Sequence, residues 1–113
     1  MANELELFQK LVRETTVYLG DTGSYTALSY VTLGLAGEAG EIANQVKKIA
    51  RDDHAQLTWE RRLKVVDELG DVFWYAIALC NELQIEPEDV LYMTGQKLRK
   101  RQAEGTIKGD KRD

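Results

Sequence analysis

Two acidic repeats, Glu38-Ala39-Gly40-Glu41 and Glu68-Leu69-Gly70-Asp71, sit inside apolar helical patterns and constrain this chain more than any other feature. Each spaces its acids i, i+3, which on a helix puts both carboxylates on one face, about 60° apart and one turn separated. The repeats mirror each other about His54, in the polar, aperiodic stretch Arg51-Asp52-Asp53-His54-Ala55-Gln56. A chain that turns there and returns antiparallel brings Glu38 level with Asp71 and Glu41 level with Glu68. Both pairs then lie roughly 18 Å up the hairpin, at 1.5 Å per helical residue. Four carboxylates between two apolar faces repel one another and are costly to desolvate. A hard divalent cation, Mg²⁺ or Mn²⁺, removes that cost. A lone Glu-x-x-Glu is ordinarily a solvated surface pair. Here the mirror spacing, among Leu35, Ile42, Val66, Leu69, Val72 and Phe73, favours the metal.

Periodicity predicts an all-α fold: a four-helix bundle whose centre is that antiparallel hairpin. The first helix runs from about Asn3 to Leu19 and is broken by Gly20-Asp21-Thr22-Gly23-Ser24. The second runs from Tyr25 or Ala27 to Ala50. The third follows Thr58, read as its N-cap, and reaches about Leu83. Pro87 suits the first turn of the fourth, with Glu88 and Asp89 favourable against its dipole, and that helix ends near Glu104. With 113 residues the chain reads as one domain over 1–113, with 106–113 a flexible or ligand-closing tail.

From Val72 to Cys80 the third helix is apolar nearly all round, which predicts burial on all sides. A domain of this size struggles to cover such a helix alone, so a second copy of the chain is expected against it. The same run is too short to span a bilayer, and no membrane segment or signal peptide is read. A single cysteine, Cys80, excludes an internal disulfide and suits a reducing, cytoplasmic setting. It sits among apolar residues and reads as packing rather than as a nucleophile.

The formal charge of −4 hides an asymmetry: residues 1–96 carry −8 and residues 97–113 carry +4. A basic end on an acidic body suits an anionic ligand delivered to a metal site. Nucleic-acid binding through the basic tail is disfavoured by the acidic body. The lone histidine, the absence of Glu-x-x-His pairs and the absence of a P-loop exclude Cys/His zinc sites, di-iron bundles and Walker-type phosphate binding. Gly34-Leu35-Ala36-Gly37 lies in a helical pattern and reads as permitting close packing. Lys47, Lys48, Lys97 and Arg101 are the basic residues best placed to meet phosphates. Lys97 and Arg101 share a face at i, i+4, while Lys47 and Lys48 follow Glu41 by six and seven residues. Tyr25, Tyr30, Trp59, Trp74 and Tyr75 are candidates to stack on a base, or equally to pack a core.

The stretch Leu33–Ala43 through Lys47-Lys48, then Asp67-Glu68-Leu69-Gly70-Asp71-Val72-Phe73-Trp74-Tyr75, resembles the MazG-type all-α nucleoside triphosphate pyrophosphohydrolases. Their Glu-x-x-Glu, spacer, Glu-x-x-Asp signature is matched with 26 residues between Glu41 and Glu68. Lys97-Leu98-x-x-Arg101 is similar to the family's phosphate-contacting Lys-Leu-x-x-Arg, and Gly105–Arg112 to the close of short members. Thr94 departs from the asparagine that many members carry. The resemblance implies Mg²⁺, with Mn²⁺ able to substitute, held by Glu38, Glu41, Glu68 and Asp71. It implies that Glu38 or Glu41 orients water, and that Lys48, Lys97 and Arg101 hold the phosphates. The implied substrate is a nucleoside triphosphate, cleaved to monophosphate and pyrophosphate by a homodimer or homotetramer. The competing class is a non-catalytic nucleotide- or metal-binding regulatory module.

Overall fold

The computed structural model describes residues 1–105, and those residues form four α-helices with no strand among them. They are α1 (Glu4–Thr15), α2 (Tyr25–Asp52), α3 (Trp59–Leu83) and α4 (Pro87–Glu104). The 106–113 tail, with Lys108 and Arg112, lies outside the described residues.

Local chemistry sets each start. The Asn3 side chain accepts from the Glu6 N–H at 2.8 Å while Glu6 accepts from the Asn3 N–H, closing a capping box on α1. Ser24 caps α2 through the Ala27 N–H, and Thr58 caps α3 through the Arg61 N–H, as its position in the sequence suggests. Pro87 opens α4, with Glu88 and Asp89 in its first turn. The first helix stops at Thr15, four residues short of the expected Leu19. There the hydroxyls of Thr15 and Thr16 donate back to the carbonyls of Leu11 and Val12, and Thr16 turns extended. Residues 16–24 are therefore a connector rather than a helix end. The second helix runs two residues beyond Ala50, until His54 and Ala55 take left-handed φ values of 52° and 60°.

The main packing is between α2 and α3, with a smaller contact of α1 on α3. Gln45 meets Arg61 near the connecting loop, Glu38 meets Glu68 and Asp71, and Gly34 lies against Tyr75. Contacts thus step down α2 as they step up α3. At the loop end, Arg61 pairs with Asp53 at 3.0 Å and donates to Gln45 at 2.9 Å. The apolar core gathers at the other end, where Val12, Val31, Ile77 and Ala78 are buried and Leu5, Phe8, Tyr18, Trp74, Tyr75 and Leu79 pack on them.

Much apolar surface stays uncovered. On α3, Leu63, Val66 and Phe73 form an exposed stripe, and Phe73 lies inside the run expected to be buried all round. Leu33 on α2 and Leu91, Tyr92 and Met93 on α4 are exposed as well. Helix α4 has no packing against another helix comparable with that of α2 on α3. The radius of gyration is 17.2 Å, against about 13 Å for a compact domain of ~100 residues. No helix of the described residues is long and apolar enough to cross a membrane.

Candidate metal centre

Midway along the α2/α3 contact, Glu38, Glu68 and Asp71 each bring a carboxylate oxygen within 4.8 Å of the others. Glu38 and Glu68 are half-buried and Asp71 is exposed. The Glu38 carboxyl is held above its ordinary range. Partial burial is the first cause, then the Asp71 charge, then a hydrogen bond and charge from Glu68, and last the charge of Glu41. Burial and the neighbouring negative charges both disfavour the ionised form. Oxygen donors crowded in this way are the set a hard divalent cation takes up.

The grouping differs from the mirror pairing. Glu38 meets both acids of the α3 repeat, while Glu41 is exposed one turn away and outside the tight group. Packed helices interdigitate, so a side chain of one enters the space between the i and i+3 residues of the other. Equal counting from a turn cannot anticipate that register.

Gly34 lies one turn before Glu38 on α2, against the ring of Tyr75. A Cβ there would lie 2.2 Å from Cε1 of Tyr75, so only glycine lets that ring rest on the α2 backbone. A Cβ at Gly37 would meet nothing within 4 Å, so close packing explains the first glycine of that stretch and not the second.

Beside the carboxylates lies a cleft of about 340 Å³, lined by Val17, Tyr18, Tyr30, Glu38, Asp71, Trp74 and Tyr75. Its aromatic rings form a closed circuit. Tyr18 stacks on Tyr30 at 5.0 Å, and Tyr30 lies tilted to Tyr75 at 6.5 Å. Tyr75 meets Trp74 edge-on at 5.0 Å, and Trp74 returns edge-on to Tyr18 at 6.5 Å. The Tyr75 hydroxyl is pushed up by burial first, then by Tyr30, Glu38 and Asp71. Three of the five aromatic candidates, Tyr30, Trp74 and Tyr75, line this cleft. Tyr25 lines a separate hollow with Leu28, Ser29, Thr32 and Leu33, and Trp59 lies under the Arg62 guanidinium at 5.8 Å. Sequence reasoning missed Tyr18, because counting it into the first helix hid its place in the connector.

The basic candidates are divided between α2 and α4. Lys48 is half-buried on α2, about 15 Å along the axis from Glu38 at 1.5 Å per residue. Its charge acts on Asp52 near the loop. Lys97 is exposed and Arg101 half-buried on α4, the helix without extensive packing. Cys80 is half-buried beside the core, its thiol pushed up chiefly by burial.

Residues 27–106 match the family model of the MazG nucleotide pyrophosphohydrolase domain. The chain is also 44% identical, over 107 residues, to the Gene 37 protein of Mycobacterium phage L5, with 93% of this chain and 94% of that protein covered. No solved structure matches it.

Proposed function

Because the chain belongs to the MazG nucleotide pyrophosphohydrolase family, we propose that it hydrolyses (deoxy)nucleoside triphosphates to the monophosphate and pyrophosphate in a Mg²⁺-dependent reaction. The observation that carries this reading is the convergence of Glu38, Glu68 and Asp71 beside an aromatic cleft large enough for a nucleoside. Glu38, Glu68 and Asp71 hold the ion, and Glu41 joins them from one turn away; Mn²⁺ is an acceptable substitute. A divalent cation held there supplies the positive charge that phosphate oxygens need and makes water easier to deprotonate. Glu38 or Glu41 orients the water, whose oxygen adds to the α-phosphorus as the bond from that phosphorus to the α–β bridging oxygen breaks. Pyrophosphate departs with the electron pair, and the water's proton passes to a carboxylate.

The aromatic circuit takes the base, whose flat faces suit stacking between rings. Lys48, Lys97 and Arg101 hold the phosphate oxygens that the cation does not reach. Reaching them requires α4 to meet a carboxylate group, and the exposed stripe of Leu63, Val66 and Phe73 supports assembly as a homodimer or homotetramer in which it does. The α2/α3 pair serves as an antiparallel hairpin, a reading supported by the stepped contacts from Gln45–Arg61 to Gly34–Tyr75. The whole chain, 1–113, acts as one domain in a reducing cytoplasm, and its role is clean-up or adjustment of the nucleotide pool.

Pyrophosphate release from a panel of dNTPs with Mg²⁺ tests the reading, with turnover expected for at least one and abolished by chelation. Mg²⁺-dependent binding of a nucleotide without turnover would replace it by the regulatory-module reading.

A further inference from the structure

The carboxylate of Glu82 on α3 is buried, with 7% of its surface exposed, at the opposite end of the protein from the hairpin loop. It accepts the Tyr18 O–H and, through its other oxygen, the Gly23 N–H at 2.8 Å. Both partners belong to the connector 16–24, which lacks a helical hydrogen-bond ladder of its own. Gly23 sits at φ 81°, so its N–H is aimed by a turn that other residues adopt only with strain. One acid therefore ties the connector down at two points, five residues apart. The Tyr18 ring, fixed by its hydroxyl at one edge, stacks on Tyr30 and forms a wall of the cleft beside Glu38 and Asp71.

A buried carboxylate is costly unless its oxygens are hydrogen-bonded, and here both are. The tie also uses the tyrosine fully. Its hydroxyl is pushed well above the ordinary tyrosine range, by burial first and by Glu82 next, so it stays a donor across physiological pH.

We propose that Glu82 is a positioning residue, which sets the width of the aromatic cleft by clamping Tyr18 and Gly23 and so governs how tightly the nucleoside part of the substrate is held. This rests on the reading that the cleft takes the nucleoside. Glu82 itself touches none of the reacting groups. Its loss frees Tyr18 to swing out of the stack, so nucleoside affinity falls while the metal-binding acids keep their arrangement.

The test compares Glu82→Ala, Glu82→Gln and Tyr18→Phe in a Trp59→Phe background, where Trp74 is the lone tryptophan. For the best dNTP, Glu82→Ala should raise KM about tenfold, the size of one charge-assisted hydrogen bond, with kcat within about twofold. Inhibition by inorganic tripolyphosphate with Mg²⁺, which occupies the phosphate part alone, should not change. Glu82→Gln, which can still accept from Gly23 and pair with the Tyr18 hydroxyl, should recover most of the affinity. Acrylamide quenching of Trp74 in nucleotide-free protein should increase in Glu82→Ala and Tyr18→Phe, because the ring edge-on to it is released. Parent values of KM and quenching in both variants would overturn the clamp, as would a parallel loss of tripolyphosphate inhibition. Should Glu82→Ala not fold, Tyr18→Phe and Glu82→Gln decide the matter by the same readouts. If the parent protein turns over no dNTP, the proposed function fails, and Trp74 quenching still decides whether the clamp exists.

Discussion

The middle of the α2/α3 pair and helix α4 carry opposite charges and are built in opposite ways. In the first, carboxylates are forced together: Glu38, Glu68 and Asp71 converge, and Glu38 is half-buried and protonates more readily than a free glutamate. In the second, Lys97 lies exposed on a helix that has no large contact with the others, beside uncovered Leu91, Tyr92 and Met93. Crowded carboxylate oxygens are the kind of donor that hard cations prefer. A basic helix with an exposed apolar flank leaves that flank in water among the described residues. The difference teaches that packing between two helices gathers the acids, while α4 carries its basic side chains without comparable packing.

The sharpest way to break that comparison is to remove the acidic half. Glu68→Gln should lower kcat/KM at least 100-fold, about 2.7 kcal/mol of transition-state stabilisation. The metal-free melting temperature should stay level or rise, because a repulsion has been relieved. Differential scanning fluorimetry with and without Mg²⁺ checks the second part: Mg²⁺ should stabilise the parent and leave the variant unchanged. Near-normal turnover at saturating Mg²⁺ would remove the acids from the site.

The basic half comes next. Arg101→Ala should cost about 1.5–3 kcal/mol in kcat/KM, the range for a hydrogen bond to a charged group. Replacing Arg99 or Lys100 should alter little beyond the salt dependence. Mixing Glu68→Gln protein with Arg101→Ala protein should restore part of the activity, since some mixed sites would then pair intact acids with an intact α4. An unrestored mixture would place both halves within one chain. A stable monomer at micromolar concentration by light scattering would do the same.

A smaller effect is expected where the aromatic cleft meets the acids. Gly34→Ala drives a methyl group into the Tyr75 ring and should destabilise the protein by about 1–3 kcal/mol, the usual cost of overpacking. Urea denaturation measures it, and KM for the dNTP should rise in step. A neutral outcome would mean that Tyr75 can leave α2 without consequence for the cleft. The least effect lies at the joint between the two regions. Gln84 ends α3 in the left-handed conformation, φ 56°, where glycine is the natural occupant. Gln84→Gly should raise stability by about 0.5–1 kcal/mol, read as a higher melting temperature, and leave kcat unchanged.

The helices were legible because their punctuation is local. Thr58 and Pro87 each sit where a start must be, and the structure uses both; Ser24, read only as part of a breaker, turns out to cap α2. The end of α1 was not, because the hydroxyl back-bonds of Thr15 and Thr16 compete with the helix in a way that apolar spacing does not record. The i, i+3 spacing made four acids candidates, and the structure brings Glu38, Glu68 and Asp71 together; their exact grouping was not legible, since interdigitation is settled by side-chain volumes across two helices. The tie from Tyr18 to Glu82 spans 64 residues and leaves no periodic trace. Lys97 and Arg101 were picked from a shared helical face and a family motif, and neither signal says which carboxylates they meet.

The placement of the apolar core has a mechanical consequence. Val12, Val31, Ile77 and Ala78 hold α2 and α3 together at one end, while the loop end is pinned mainly by Arg61 with Asp53 and Gln45. The paired helices are therefore a cantilever, rooted in the core, with the acids partway along its span. Amide hydrogen exchange should be slowest around Val31 and Ile77 and quicken toward residues 53–58, with Glu38 and Glu68 on the slope between. Mg²⁺ bridging those two helices would move the root outward, stiffening the beam as far as the acids while its tip goes on opening at its former rate.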